Sequence, residues 1–298
     1  MFPGVRNKLV SDGLLSTPAA SGVDLQHPSI ARVYDFLLDG STYWAVDKSF
    51  GKRLLDQFPE FQDIIRANRR FVYRVVRHLA RKEGVHQFLD IGSGVLSRGN
   101  THQIADEAAP GTKVVYVDNE PVTVAHAELL LDEEGDPDRH AVVKADLREP
   151  QDLWERAFAT RVLNRREPVA VLMFSVLHTL RPEPGDRDPA ARLMASYRDL
   201  LPEGSYLGVS HVTTEDLPAE LPAKLDGLRQ LYKDRLNTGA YCRSHDAINA
   251  LLGDFEVLSP GMVWIPQWHP EESAPDVSFP TPNHSGIWAG VGRKQTRH

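Results

Sequence analysis

Three aspartates and one glycine-rich turn are the residues of this sequence whose types and spacing could do chemistry. The turn Gly92-Ser93-Gly94 follows a short apolar run, and Asp90 lies just before it. Glycines at such a turn allow positive φ and let a ligand approach the backbone closely. In an open α/β sheet, ligands bind at the carboxyl ends of the strands. We therefore predict that this turn borders a ligand site.

Two further aspartates end the next two strand-like runs, Asp118 after 113–117 and Asp146 after 141–145. A carboxylate at the second strand end can accept hydrogen bonds from both ribose hydroxyls. One at the third strand end can accept from an adenine amino group, with Leu147 covering the base. Helix capping could explain each aspartate alone. Three carboxylates at successive strand ends around one turn favour a nucleoside ligand.

The spacing after the turn separates two kinds of nucleoside cofactor. A dinucleotide-binding loop places a third glycine three residues after the second, where this chain has Ser97. Asp90 would repel a pyrophosphate but would attract a cationic ligand. S-adenosylmethionine carries an ammonium and a sulfonium group and no phosphate. The pattern therefore favours S-adenosylmethionine and disfavours an NAD-dependent dehydrogenase.

The elements that must hold these residues alternate between strands and helices. Short runs rich in apolar residues predict strands at 87–92, 113–118, 141–146, 169–174, 205–210, 255–258 and 287–291. Because some of these runs are apolar throughout, we expect a sheet that is buried on both faces and hence parallel. Strands that alternate with helices predict a doubly wound, Rossmann-like α/β fold.

Helical patterns precede the first predicted strand. Residues 1–26 show no sustained periodicity and are expected to form a loose tail, whereas 27–84 predict a helical lid before a cofactor-binding domain at 85–298. Asn68 lies on the apolar stripe of the helix that follows Pro59. A buried asparagine must be hydrogen-bonded, so this one either braces neighbouring groups or faces a ligand.

The composition narrows the partners of this chain. Its 298 residues include 34 Lys and Arg against 41 Asp and Glu, a formal net charge of −7, which makes it a poor candidate for gripping nucleic-acid phosphates. No apolar run suits a membrane span or a secretory signal. Cys242 is the only cysteine, which excludes internal disulfides and Cys-rich zinc sites. We expect a cytoplasmic protein that binds neither nucleic acid nor membrane.

Several motifs together resemble one known family. They are His27-Pro28-Ser29-Ile30-Ala31-Arg32-Val33-Tyr34-Asp35, Leu37-Leu38-Asp39-Gly40, Arg66-Ala67-Asn68-Arg69, Phe88-Leu89-Asp90-Ile91-Gly92-Ser93-Gly94, Val115-Tyr116-Val117-Asp118-Asn119, Pro260-Gly261 and Trp268. Over residues 27–293 the chain is similar to the actinobacterial S-adenosyl methyltransferase family, once described as a domain of unknown function. That family lies within the class I methyltransferases that use S-adenosylmethionine.

The resemblance implies a class I methyltransferase fold with a mostly parallel sheet, an antiparallel last strand and S-adenosylmethionine as cofactor, released as S-adenosylhomocysteine. It implies methyl transfer to an oxygen or nitrogen of a small molecule, in specialised metabolism. The alternative is a protein that binds the cofactor without methylating, as a cyclisation or rearrangement catalyst or a ligand sensor. The residues then expected to bind the cofactor are Tyr34, Asn68, Arg69, Asp90, Gly92, Ser93, Gly94, Asn100, Asp118, Asn119, Asp146, Leu147 and Ser175.

Two residues, His178 and Tyr43, are candidates for catalysis. His178 follows the fourth predicted strand, where a histidine with a pKa near neutrality could take a proton from the acceptor. It could equally be a hydrogen-bonded histidine that shapes the loop. Tyr43 and Trp44 lie in the predicted lid and could seat an apolar acceptor, stack beside the sulfonium or anchor the core. The histidines form no metal-binding motif, so no metal is expected.

Overall fold

A mixed sheet with helices on both faces forms the body of the protein, in a computed structural model that describes residues 26–97, 99–181, 188–236, 239–273 and 277–296. Its strands are β1 (Gln87–Ile91), β2 (Lys113–Asp118), β3 (His140–Lys144), β4 (Ala170–Phe174), β5 (Tyr206–Val212), β6 (Glu256–Val257), β7 (Val263–Trp264) and β8 (Ile287–Arg293). They lie in the order β3-β2-β1-β4-β5-β8-β6, and β7 also pairs with β8.

The strand directions confirm the predicted fold class. Each pairing among β1 to β5 is parallel, whereas β8 runs antiparallel to β5, β6 and β7. The result is a doubly wound, mostly parallel sheet with an antiparallel last strand. The strand β7 was not predicted, because two residues are too short to show a periodic pattern. Since β3 ends at Lys144, Asp146 lies in the loop beyond the strand.

The helices divide the apolar side chains into two cores, one on each face of the sheet. They are α1 (Ile30–Leu37), α2 (Ala45–Gln57), α3 (Phe61–Arg81), α4 (Thr101–Ala108), α5 (Pro121–Glu134), α6 (Pro150–Ala159), α7 (Pro189–Leu200), α8 (Leu221–Leu236) and α9 (His245–Asn249). Phe71 of α3 packs edge-on against Phe174 at 5.2 Å and against Trp268 at 5.7 Å between ring centres. These contacts fix α3 against the sheet beside the end of β4.

The helices α1 and α3 match the predicted apolar stripes, but α2 was not predicted. Its apolar residues are too sparse to form a continuous stripe, and tertiary contacts hold it instead. Asp47 accepts a hydrogen bond from the Trp44 amide (2.8 Å) and so caps the first turn. Gly51 allows Phe36 of α1 to approach closely, because a Cβ at residue 51 would lie 2.3 Å from that ring.

Two further points concern the predicted tail and membrane-spanning helices. The predicted tail at 1–26 lies outside the described residues except for Gln26. Among the helices that the structure describes, none is long and apolar enough to cross a membrane.

Candidate functional site

A cavity of about 1170 Å³ opens where β1 to β4 end, with α1 and α3 forming part of its wall. The loops that follow those four strands form much of the rest. Twelve predicted site residues line it: Tyr34, Asn68, Arg69, Asp90, Gly92, Ser93, Gly94, Asp118, Asn119, Asp146, Leu147 and Ser175. The fold therefore brings together side chains that are far apart in the sequence.

The glycine turn presents open backbone to this cavity. Gly92 and Gly94 have φ values of 72° and 65°, a region that favours glycine. A Cβ at Gly92 would lie 2.6 Å from Val176, whereas one at Gly94 would meet no atom within 4 Å. The amides of Gly92 and Ser93 donate to the Val117 carbonyl (2.8 and 3.2 Å), which ties the turn to β2. A ligand can therefore approach the backbone at Gly94.

Asp90 and Arg69 are two oppositely charged residues that line the cavity beside this turn. The Asp90 carboxylate accepts a hydrogen bond from the Thr101 hydroxyl (2.6 Å), and burial raises its pKa, opposed in part by Thr101 and Arg69. Arg69 donates to the Gly99 carbonyl (2.7 Å), so its guanidinium is held beside the loop before α4. A ligand here meets both a carboxylate and a cation.

Asp118 is held at the end of β2 by backbone donors. Its two oxygens accept from the amides of Gly94 (3.0 Å) and Glu120 (2.9 Å). Burial raises its pKa, and these two hydrogen bonds oppose the rise. Each carboxylate oxygen can accept more than one hydrogen bond, so the pair of ribose hydroxyls remains a chemically suitable partner.

Asp146 differs from the other two aspartates because it already has a cationic partner. Arg148 contacts both of its oxygens at 2.5 to 3.0 Å, and these hydrogen bonds lower the pKa of Asp146. The neighbouring Leu147 is fixed through its carbonyl, which accepts from the Tyr197 hydroxyl at 2.9 Å. The side chain of Leu147 lines the cavity beside this pair.

A hydrogen-bonded chain of polar side chains joins α1, α3, β5 and the end of β4. Asn68 donates to the Tyr34 hydroxyl (3.0 Å) and accepts from the Ser210 hydroxyl (2.9 Å). The Ser175 amide donates to the same Ser210 oxygen at 3.0 Å. Ser175 has a φ of 50°, which bends the backbone away from β4. Asn68 therefore braces its neighbours and also lines the cavity.

Three predicted site residues lie outside the lining of this cavity. Asn100 caps α4 and accepts from the Ser97 amide at 2.9 Å, so it shapes the loop. Tyr43 packs edge-on against Phe36 at 5.2 Å. His178 lies near His211, with 6.1 Å between ring centres, and burial lowers its pKa to about 4. The roles predicted for these three residues stay predictions without a supporting contact.

A buried ionic cluster beside the cavity was not predicted. Arg32, which is 2% exposed, pairs with Asp47 (2.7 Å) and with Glu120 (2.5 Å), and Asp47 is fully buried. The Ser29 hydroxyl also donates to Glu120 at 2.6 Å. The cluster joins α1 and α2 to the start of α5, beside Asp118. In the sequence, the cluster is visible only as charged residues within the short apolar helix α1. Such residues are also typical of a helix face that is exposed to solvent.

The comparisons with known proteins agree on one family. The sequence model of a family described as S-adenosyl methyltransferase matches residues 16–295. A predicted methyltransferase from Thermobifida fusca YX is 32% identical in sequence. The two structures superpose with a TM-score of 0.81, and the match covers 94% of this chain and 100% of that one. A DUF574 family protein from Streptomyces avermitilis MA-4680 is 30% identical, with a TM-score of 0.81. The match covers 91% of this chain and 99% of that one.

More distant similarity extends to the fold alone. An O-methyltransferase family protein from Burkholderia thailandensis is 13% identical, with a TM-score of 0.51 that covers 84% of this chain and 71% of that one. None of the curated proteins matches the sequence.

Proposed function

Because the chain belongs to the S-adenosyl methyltransferase family, whose cofactor is S-adenosylmethionine, we propose that it methylates an oxygen or nitrogen of a small molecule. We place this reaction in specialised metabolism. The observation that carries the proposal is the cavity of about 1170 Å³ at the strand ends. Pockets for one drug-sized ligand measure roughly 300–1000 Å³, so this volume supports a second molecule beside the cofactor.

We assign the cofactor's parts to the residues that line the cavity. Asp118 accepts from the ribose hydroxyls, and Asp146 with Leu147 holds the adenine. Arg69 binds the carboxylate of the cofactor's amino-acid end. Asp90 and the Gly92 turn lie at the same end and balance the positive charge of the cofactor. These acceptor groups fit a ligand with two cationic groups and no phosphate, because three carboxylates line the cavity at successive strand ends.

The bound cofactor supplies an electrophilic methyl group on a sulfonium, and the chain must align the acceptor with it. Alignment and exclusion of water account for most of the catalysis that such a displacement needs. We propose that residues 27–84 form a lid with this task, because α1 and α3 both line the cavity. Tyr34 and Asn68 are held by the hydrogen-bonded chain to β5, which suits a rigid wall beside the reacting groups.

The cofactor assignment is tested by calorimetry on the full chain. We expect binding of S-adenosylmethionine and S-adenosylhomocysteine and no binding of NAD. Asp118→Asn should weaken the binding of both by about 1–3 kcal/mol, the usual cost of losing a charged hydrogen-bond acceptor. Asp152→Asn, an exposed carboxylate on α6, is the matched control. Equal affinities for wild type and Asp118→Asn would contradict the assignment.

The acceptor class needs a separate experiment. Protein with methyl-labelled cofactor is offered a panel of small phenols, hydroxy acids and amines, and in parallel RNA and unfolded protein. Label on a small molecule supports the proposal, whereas label only on the macromolecules contradicts it. Conversion of a panel member without a gain of a methyl group would instead favour the non-methylating alternative.

A further inference from the structure

We propose that Asp35, a carboxylate of α1, binds the α-ammonium group of S-adenosylmethionine, while Arg69 binds the α-carboxylate. The amino-acid end of the cofactor would then be recognised by the lid as well as by the sheet. This inference rests on the proposed function, because it takes the cavity as the cofactor site.

The first support is an unsatisfied carboxylate oxygen beside the cavity. Asp35 is 3% exposed and lines the cavity. Its Oδ2 accepts from the Thr42 amide at 2.7 Å, whereas its Oδ1 is buried and has no hydrogen-bond partner among the described residues. A buried charged oxygen without a donor is costly, so such a group calls for a partner. A cationic N–H donor is the partner that the chemistry favours.

The second support is the balance of charge around this oxygen. The positive charge of Arg69 lowers the pKa values of both Asp35 and Asp90, while burial raises both and is the larger effect. Two carboxylates therefore share the field of one guanidinium. The amino-acid end of the cofactor carries an ammonium and a carboxylate, and the sulfonium adds a further positive charge. Such a ligand brings further cations to the two carboxylates.

A purely structural role explains only half of the Asp35 side chain. Its Oδ2 organises the turn between α1 and α2 through the Thr42 amide. Gly40 packs so closely on the carboxylate that a Cβ there would lie 2.0 Å from Oδ1. The turn is thus built around Asp35 but needs no charge on Oδ1, because the amide group of an asparagine could take the place of the carboxylate. A cationic ligand would account for an aspartate at this position.

The test compares ligands that differ only at the amino-acid end. Asp35→Asn keeps the shape and the Thr42 hydrogen bond but removes the charge. We expect it to weaken S-adenosylhomocysteine by about tenfold to a hundredfold. The binding of 5′-methylthioadenosine, which lacks the amino-acid end, should stay within about twofold of wild type. Asp39→Asn is the matched control, an exposed carboxylate in the same turn that pairs with Arg66, and should change neither affinity.

A third ligand separates the two proposed contacts. Decarboxylated S-adenosylmethionine keeps the ammonium and lacks the carboxylate. Asp35→Asn should weaken it as strongly as it weakens S-adenosylmethionine, whereas Arg69→Met should weaken S-adenosylmethionine alone. If Asp35→Asn weakens 5′-methylthioadenosine and S-adenosylhomocysteine equally, the residue acts through the shape of the lid and the inference is wrong. Unchanged binding of S-adenosylhomocysteine by Asp35→Asn would also overturn it.

The outcome also distinguishes this inference from the proposed function. If wild type binds none of these nucleosides, the proposed function itself fails. If wild type binds S-adenosylhomocysteine and Asp35→Asn binds it as well, only the role of Asp35 falls. Should Asp35→Asn not fold, wild type is tested with S-adenosylhomocysteine whose amino group is replaced by hydrogen. A loss of about tenfold or more supports recognition of the ammonium, and a loss below about twofold contradicts it.

Discussion

Two buried arginines are satisfied in different ways: Arg32 lines the cavity, whereas Arg243 lies behind the segment that follows β4 and donates to the carbonyl of the cavity-lining Leu180. Arg32 is 2% exposed and Arg243 is 6% exposed, so both guanidinium groups must find their partners inside the protein. Arg32 belongs to α1, which is part of the proposed lid. Arg243 belongs to the segment before α9, and its partners lie near the ends of β4 and β5. Comparing them shows which wall is able to move.

Arg32 is satisfied mainly by charge. It pairs with Asp47 of α2 and with Glu120 at the start of α5, and its guanidinium lies 3.9 Å from the centre of the Trp44 ring. Glu120 accepts from the Ser29 hydroxyl as well, so its two oxygens join α1 and the residue before it to the start of α5. The Glu120 side chain is 22% exposed. Water can replace Glu120 here and equally the 29% exposed Asp188 beside Arg243, so the difference lies in the two backbone carbonyls to which Arg243 also donates.

Arg243 is satisfied by a carboxylate, an imidazole and the backbone. It makes two hydrogen bonds of 2.6 Å to Asp188 and donates to the carbonyls of Leu177 (3.2 Å) and Leu180 (3.3 Å). It also contacts His211 Nε2 at 2.7 Å, while His211 Nδ1 lies 2.8 Å from the Val212 carbonyl. This geometry assigns the proton of His211 to Nδ1, so that Nε2 accepts from Arg243.

The difference teaches which contacts can break without unfolding. The Arg32–Glu120 pair joins two parts of the chain that could separate as units. The partners of Arg243 include two carbonyls within the turn that follows β4, and that turn would lose its shape with them. We therefore expect α1 and α2 to open locally, whereas α3, which packs on Phe174 and Trp268, and the wall at β4 and β5 stay fixed until global unfolding.

The largest effect is expected from Arg243→Met. The change removes one donor each from the Asp188 carboxylate, His211 Nε2 and the Leu177 and Leu180 carbonyls, although the Ala190 amide still donates to Asp188. We expect the free energy of unfolding in urea to fall by about 3 kcal/mol, because His211 Nε2 and the carbonyls are buried, whereas water reaches the 29% exposed Asp188. A loss below about 1 kcal/mol would show that water reaches these partners and that the wall is not fixed.

The second effect tests the lid contact through Glu120→Gln. Loss of the charge should lower the free energy of unfolding by about 1–3 kcal/mol. Hydrogen exchange measured by mass spectrometry should become faster in α1 and α2 and stay unchanged in β4 and β5. The matched control is Glu149→Gln, since Glu149 also precedes a helix-initiating proline but is exposed. Faster exchange spread evenly over the sheet would contradict a separable lid.

The third effect is a pH dependence that rests on two buried histidines, His126 of α5 and His211 of β5. His126 lies 3.2 Å from the Thr42 hydroxyl of the α1–α2 turn, and burial lowers its pKa from 6.5 to about 4. Burial lowers the pKa of His211 to about 3. The unfolded chain therefore binds more protons below pH 6.5, so stability is complete above that value and falls as the pH drops toward 4 and 3.

The size of this effect is measured by urea unfolding at pH 7.0 and 5.5. Each of these two imidazoles should lower the free energy of unfolding of the wild type by about 1 kcal/mol when the pH falls from 7.0 to 5.5. His126→Gln should remove about that amount from the difference. If His126→Gln and wild type lose the same free energy, His126 is not held neutral by the fold.

The sequence predicts one part of this site well because that part is local. Asp90, Asp118 and Asp146 each end a strand or follow one closely, and both strand periodicity and the glycine turn can be read from neighbouring residues. The topology then brings the strand ends together. Asn68 was predicted on similar grounds, since a polar residue on an apolar stripe needs a partner.

The sequence does not predict the two arginines, because their partners are distant along the chain. Arg32 and Glu120 are separated by 88 residues. No local pattern distinguishes a buried charge from a solvated one before both partners are placed. The orientation of His178 also depends on a distant residue, since it lies in the turn Leu177–Thr179, whose Leu177 carbonyl accepts a hydrogen bond from Arg243.

The smallest expected effect shows that burial, and not ion-pair distance, separates these cases. Arg156 and Asp152 on α6 lie 2.7 Å apart, the same distance as Arg32 and Asp47. Their side chains are 57% and 53% exposed, against 3% and 0% for the buried pair. Arg156→Met should therefore change the free energy of unfolding by less than about 0.5 kcal/mol, because water replaces the lost partner. A loss as large as that of Arg243→Met would mean that the distance alone sets the energy, and the distinction between a separable lid and a fixed wall would lose its basis.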